Sequence, residues 1–149
     1  MDDDLRARIE GGTAFARTLG ATLVEVADGS AVLRLDAAPE LHNHVGGPHA
    51  ATLFGLGETA AAAVVITVFA DLVDAGAVPL IKSAAIDYTA IATGVVLASA
   101  HLAGDGGDGV RESVATRGVA VFPVEVVFRR EDDGVETATM TAQMALKQR

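Results

Sequence analysis

From Pro48 to Asp74 the chain is rich in Ala and Leu and carries one charge, Glu58, before Asp71. Apolar residues recur on every side of any helix drawn through it, and a helix apolar all round is buried all round. Whatever else the chain forms must therefore wrap this segment. The uninterrupted apolar stretch after Glu58, Thr59 to Ala70, has twelve residues, too few to cross a bilayer. Extending it backwards meets Gly46-Gly47-Pro48, which is a turn. The reading is a buried core helix in a soluble chain.

The wrapping material is strand. Thr22 to Val26 and Ala31 to Leu35 are β-type runs separated by Asp28-Gly29, a strong hairpin signal because both turn positions tolerate positive φ. After Pro79 the runs Leu80–Thr93, Val95–Leu102, Val119–Arg129 and Val135–Lys147 all read as strands. The last alternates most cleanly, with Thr137, Thr139, Thr141 and Gln143 on one face and Ala138, Met140, Ala142, Met144 and Leu146 on the other. Pro123 within a strand implies a bulge or an edge position. Gly-Asp-Gly-Gly-Asp-Gly at 104–109 reads as a flexible hairpin connection, with too few ligands for calcium. Upstream, Leu5, Ile9, Phe15 and Leu19 recur near helical spacing, weakened at Gly11-Gly12. The expected order is one helix, two strands, the core helix and four strands. That is an α+β fold, an antiparallel β-sheet wrapped round one long apolar central helix. At 149 residues it is a single domain, 1–149.

Charge removes whole classes of function. Eleven Lys and Arg against twenty Asp and Glu give −9, with no basic tract for nucleic acid or for an anionic membrane surface. There is no cysteine, so disulfides, thiolate metal sites and a cysteine nucleophile are excluded. The start, Met-Asp-Asp-Asp, is the reverse of a signal peptide's, and a cytoplasmic location is expected.

Two features could carry chemistry. Glu58 sits midway along the most apolar helix, one turn from Phe54, Gly55, Ala61 and Ala62, none of which can pair with it. A carboxylate there is desolvated and costly to ionise, which suits either a catalytic acid or a structural one bonded to a loop. The second feature is the cluster His42, Asn43, His44 and His49. Its histidines lack a nearby carboxylate, so no metal is expected. His49 and Ala50 open the core helix, where free N–H groups favour a developing negative charge. Either the Ala50 N–H serves as an oxyanion hole or His49 simply caps the helix.

Nine residues separate His49 from Glu58, a rotation of about 900°, so the two side chains point to opposite sides. If both act on one substrate, the site must join the helix start of one chain to Glu58 of another, which predicts a homodimer with antiparallel core helices.

The segment Asn43-His44-Val45-Gly46-Gly47-Pro48-His49-Ala50-Ala51-Thr52-Leu53-Phe54-Gly55-Leu56-Gly57-Glu58-Thr59-Ala60 resembles the signature of hotdog-fold acyl-CoA thioesterases of the phenylacetate-pathway (PaaI-like) type. Ile86-Asp87-Tyr88 followed by Ala92 resembles the start of that family's central strand. The resemblance implies a hotdog fold, a dimer or dimer of dimers, and hydrolysis of an acyl-CoA thioester with coenzyme A as part of the substrate and no separate cofactor. Carried over by position, Glu58 would be nucleophile or general base and the Ala50 N–H would bind the thioester oxygen. Asn43 would orient water or the carbonyl, and His49 would support the loop or contact the thioester. Gly47 and Phe54 would line the substrate. Here Ala50-Ala51 replaces the usual Gly-Gly, and Glu58 replaces the commoner Asp.

Lys82 shares an alternation face with Leu80, Ala84, Ile86 and Tyr88. It reads as a snorkelling lysine or as a charge partner for Glu58 or a coenzyme A phosphate. Arg129-Arg130 reads as a solvated pair at a strand end or as another phosphate contact. Small residues at Gly55, Ala61 and Ala62 suggest room for an acyl chain. Two other functions compete: a hotdog dehydratase or hydratase using His44 and Glu58, fourteen residues apart, and a non-catalytic acyl-CoA-binding protein.

Overall fold

The computed structural model describes residues 3–104 and 107–149. In chain order its elements are α1 (Asp3–Gly11), α2 (Ala14–Leu19), β1 (Thr22–Ala27), β2 (Ser30–Leu35), α3 (Ala50–Val68), α4 (Ala70–Asp74), β3 (Val78–Tyr88), β4 (Val96–Leu102), α5 (Asp108–Arg117), β5 (Val119–Arg130) and β6 (Glu136–Lys147). The strands form one sheet in the order β1-β2-β4-β5-β6-β3, every neighbouring pair antiparallel. Helix α3 packs against β2, β3, β4, β5 and β6, and this is the hotdog arrangement.

Small residues let the sheet close on the helix. Leu56, Ala60, Ala61, Ala63, Val64 and Val65 have no solvent exposure at all. A Cβ on Gly57 would lie 2.5 Å from the Met140 sulfur and 2.6 Å from the Phe128 ring, so only glycine admits those two side chains. At nineteen residues α3 is long and apolar enough to cross a membrane, unlike the twelve-residue stretch counted from the sequence. Burial against the sheet, not length, marks it as a core helix. The face of α3 turned away from the sheet is partly covered by α1 and α2, leaving Glu58, Thr59, Ala62 and Ile66 half-buried.

The N-terminal helix is two helices. A Cβ on Gly12 would collide with the Arg8 carbonyl, and Thr13 restarts the chain as an N-cap, accepting a hydrogen bond from the Ala16 N–H at 3.0 Å. Glu10 fastens this pair to the sheet edge: its carboxylate accepts from the Leu23 N–H at 2.7 Å beside the bulge in β1. The core helix also stops early, at Phe69, before the short α4. In the Asp28-Gly29 turn only Gly29 takes positive φ, at 72°.

Helix α5 replaces the hairpin expected after Gly104. Asp105 and Gly106, in the middle of that glycine-rich run, lie outside the described residues. The ten residues of α5 carry a weak apolar pattern that reads easily as loop. Arg111 holds it in place, donating to the Asp71 carboxylate and, at 2.8 Å, to the Val68 carbonyl, with its guanidinium 5.3 Å from the Phe69 ring. This hydrogen bond keeps the Asp71 carboxyl below the usual carboxylate range.

Two strand irregularities bear on the site. Strand β5 is interior, yet Pro123 is tolerated where the β4 ladder ends: Leu102 opposite Val124 is its last pair, and beyond it only the Ala103 N–H reaches across, to the Pro123 carbonyl at 3.3 Å. In β3 a bulge lies between Ile81 and Ser83, and Lys82 is its extra residue. The bulge breaks the expected alternation, so Ile81, Ala84 and Ile86 pack toward the core while Leu80 and Lys82 are exposed.

Gly57→Ala should destabilise the protein by about 1–3 kcal/mol through overpacking. Urea denaturation checks this; an unchanged midpoint would mean that Met140 and Phe128 yield without cost.

Candidate active site

Every turn before α3 is tied down. The Asn43 N–H donates to the Gly47 carbonyl at 2.7 Å, and the Asn43 Oδ1 accepts from the N–H groups of Val45 (3.0 Å) and Gly47 (3.2 Å). Gly47 is pressed onto the Ala92 carbonyl so closely that a Cβ would overlap it. The Leu41 carbonyl then receives both the His49 N–H at 2.8 Å and the Thr52 hydroxyl at 2.9 Å.

Helix starts leave their first N–H groups without intrahelical partners, and here their fates differ. The Ala51 N–H donates to Nδ1 of His49 at 3.0 Å, and the Leu53 N–H to the His49 carbonyl at 3.0 Å. His49 is therefore a cap. With Nδ1 accepting, the neutral ring carries its proton on Nε2, a donor on the exposed side. The Tyr88 hydroxyl, on β3, donates to the Ala50 carbonyl at 2.8 Å, and partial burial pushes its pKa up, which keeps it a donor. Ala50 is an exposed residue, and its N–H bonds to nothing among the described residues. A loop held this rigidly, ending in an unused donor at a positive helix end, can bind a carbonyl oxygen that gains negative charge.

Glu58 lies elsewhere. It is half-buried rather than fully buried, and it lines a cavity of about 300 Å³ with Ile9, Phe15, Ala16, Ala62 and Ile66. Among the described residues its carboxylate makes no hydrogen bond and no ion pair. Asn43 and Tyr88 line a different cleft, of about 360 Å³, with Val45, Pro48, Leu53 and Ile91. Neither His49 nor Ala50 lines the Glu58 cavity, so one chain does not bring the helix start and Glu58 together.

The remaining expected residues are placed as follows. Gly47 is buried in the turn, and Phe54 is half-buried against the core. Lys82 stands exposed on the β3 bulge and lines neither the Glu58 cavity nor the Asn43 cleft. Arg129 and Arg130 are paired with Glu136 at 3.1 Å and Asp133 at 2.6 Å. His44 is exposed and does not line the Glu58 cavity, and His42 bonds the Ala37 carbonyl at 2.9 Å through Nε2. Among the described residues no three His, Asp or Glu side chains are grouped to hold a metal. The space expected at Gly55 is filled: a Cβ there would lie 2.5 Å from the Phe15 ring.

Residues 9–146 match the family described as Domain of unknown function DUF4442. The chain belongs to the DUF4442 family. No curated protein matches it in sequence. Solved structures do share its shape. A Pseudomonas aeruginosa protein of unknown function, provisionally described as a thioesterase, aligns with this DUF4442 chain at a TM-score of 0.83 and 24% identity, covering 99% of this chain and 95% of its own. A Shewanella oneidensis protein with the same provisional description aligns at 0.79 and 17%, covering 99% and 100%. A phenylacetic acid degradation-related protein from Ralstonia eutropha, also provisionally a thioesterase, aligns at 0.70 and 22%, covering 95% and 98%.

Two residues of this DUF4442 chain emerge only from the structure. Tyr88 closes its strand as an aromatic residue, which marks β structure but gives no sign that the hydroxyl reaches α3. Phe15 reads as one apolar position on an amphipathic helix, yet it is 54% exposed and walls the Glu58 cavity.

Tyr88→Phe removes one hydrogen bond at the helix start and should cost about 1 kcal/mol, lowering the melting temperature by roughly 2–4 °C. Calorimetry measures it; no shift would mean that water replaces the hydroxyl fully.

Proposed function

We propose that this protein is a thioesterase that hydrolyses acyl-CoA to a free acid and coenzyme A. The observation that carries the reading is the start of α3, where the Ala51 and Leu53 N–H groups are bonded to His49, the Ala50 carbonyl accepts from Tyr88, and the Ala50 N–H is left unused. The provisional descriptions of the structures that share the fold support it.

In this reading the thioester carbonyl oxygen accepts from the Ala50 N–H of one protomer, with the His49 Nε2–H within reach as a second donor. Glu58 of the other protomer attacks the carbonyl carbon or takes a proton from water that does so. The carbon–sulfur bond breaks as the tetrahedral intermediate collapses, and the thiolate leaves without a strong general acid. Water supplies the oxygen and proton that complete the two products. Asn43 acts through the turn it closes. The separation of Glu58 from the helix start within one chain calls for a homodimer with α3 helices antiparallel, which assembles two equivalent sites. Coenzyme A is substrate, no further cofactor is required, and we place the enzyme in the cytoplasm.

Thiol release from a panel of acyl-CoAs, read with a thiol-reactive dye, should fall by about 10²-fold or more in Glu58→Gln. The cysteine-free protein adds no background. No release from any acyl-CoA by the wild type would overturn the reading.

A second test addresses the shared site. Ala50→Pro deletes the N–H at the first helical position, where proline is tolerated, and His49 already has the extended backbone that precedes proline (φ −61°, ψ 150°). Each variant alone should be inactive. Mixing Ala50→Pro with Glu58→Gln at equal amounts and letting subunits exchange should restore roughly a quarter of wild-type activity, because each mixed dimer has one intact site. A mixture that stays inactive after confirmed exchange would place both groups in the same chain.

A further inference from the structure

The cavity beside Glu58 has a division of labour among its walls. Its two hydroxyl residues are tied to backbone: Thr13 Oγ1 accepts from the Ala16 N–H at 3.0 Å, and the Thr59 hydroxyl donates to the Gly55 carbonyl at 2.8 Å. Its one cation, Arg8, pairs with Asp74 at 3.0 Å. That leaves the Glu58 carboxylate as the free polar group of a chamber otherwise walled by Ile9, Phe15, Ala16, Ala62 and Ile66. An apolar chamber with one convergent polar group has the chemistry of a small-molecule site, and about 300 Å³ is at the small end for one.

The one aromatic wall is Phe15. Its ring lies on Gly55, which has no side chain to hold it off, and it reaches the cavity from α2, a helix of six residues. Phe15 is 54% exposed, so the core does not hold its side chain there; α2 itself is anchored by the buried Ala16 and Leu19 and by its caps, Thr13 and Gly20, the latter at φ 72°. A large apolar side chain kept half in solvent beside an unpaired carboxylate is poorly explained by packing alone.

We propose that this chamber receives the acyl group of the substrate and that Phe15 limits it to short-chain or single-ring acyl groups. The proposal rests on the thioesterase reading for the chemistry at Glu58, but the chamber's size limit is a property of binding. The thioester carbon stands at Glu58, the acyl group points between α2 and α3, and the coenzyme A portion leads away. Removing the Phe15 ring opens the far end over Gly55, and enlarging Ala62, a half-buried wall residue on α3, shortens the chamber.

The test uses S-alkyl coenzyme A thioethers from methyl to dodecyl, together with the phenethyl thioether. They bind without turnover, so affinity by calorimetry does not depend on catalysis. In wild type, affinity should rise with the first carbons and fall for the longest chains. Phe15→Ala should move that fall to longer chains, changing the dodecyl-to-butyl affinity ratio by at least tenfold, and Ala62→Leu should move it to shorter ones. Identical length profiles in the three proteins, or no binding of any thioether, would overturn the proposal. Thiol release measured in parallel separates the two readings. Hydrolysis with an unchanged length profile leaves the thioesterase standing and removes Phe15 as its limit. A shifted binding profile without hydrolysis keeps Phe15 and points to a non-catalytic acyl-CoA binder.

Discussion

The structure depends on surrounding one helix that is apolar on every side. A helix as apolar as α3 forces contacts all round, and a single sheet can supply them only by curling. Five of the six strands pack against it, and α1 and α2 partly cover the remaining side, where Glu58, Ala62 and Ile66 stay half-buried. The curl is tight because α3 is built from small residues where the sheet approaches. Gly57 lies under Met140 and Phe128, and the alanines at 60, 61 and 63 are wholly buried. The same constraint makes Glu58 conspicuous. It is the one ionisable group on α3, and it falls on the face covered by the two short N-terminal helices rather than by the sheet.

Much of the fold was legible because burial writes itself into periodicity. The buried set Ala138, Met140, Ala142, Met144 and Leu146 on β6 is the face that alternation picks out. Helix α5 was not legible: Val110 and Val114 are its only bulky apolar residues, and its position depends on Arg111 finding Asp71 and the Val68 carbonyl some forty residues away. The facing of Lys82 was misread for a related reason. A bulge adds one residue to a strand and reverses the alternation beyond it, and no single-residue preference announces it.

The candidate site was legible as a set of residues and not as a geometry. The helical repeat separates His49 from Glu58, and in the structure Glu58 lines a cavity that His49 does not reach. The network that holds the helix start could not be read in advance, since Leu41 accepts two bonds from beyond a loop and Tyr88 reaches Ala50 from another element. Likewise Gly55 suggested open space, whereas the glycine is there to admit an aromatic ring from α2.

The strand order has a consequence for the order of assembly. Strand β3 precedes β4 in the chain but lies at the far edge of the sheet, and it pairs with β6 alone, the last strand in sequence. Until β6 has been synthesised, β3 has no partner and one flank of α3 has no cover. Strand β6 then completes two ladders in one step, with β5 on one side and β3 on the other. Its pairing with β3 spans about sixty residues of chain, a costly loop to close before any contact rewards it. A nascent chain of this topology holds its most apolar helix partly uncovered for most of its synthesis, and that interval is when it is most exposed to aggregation.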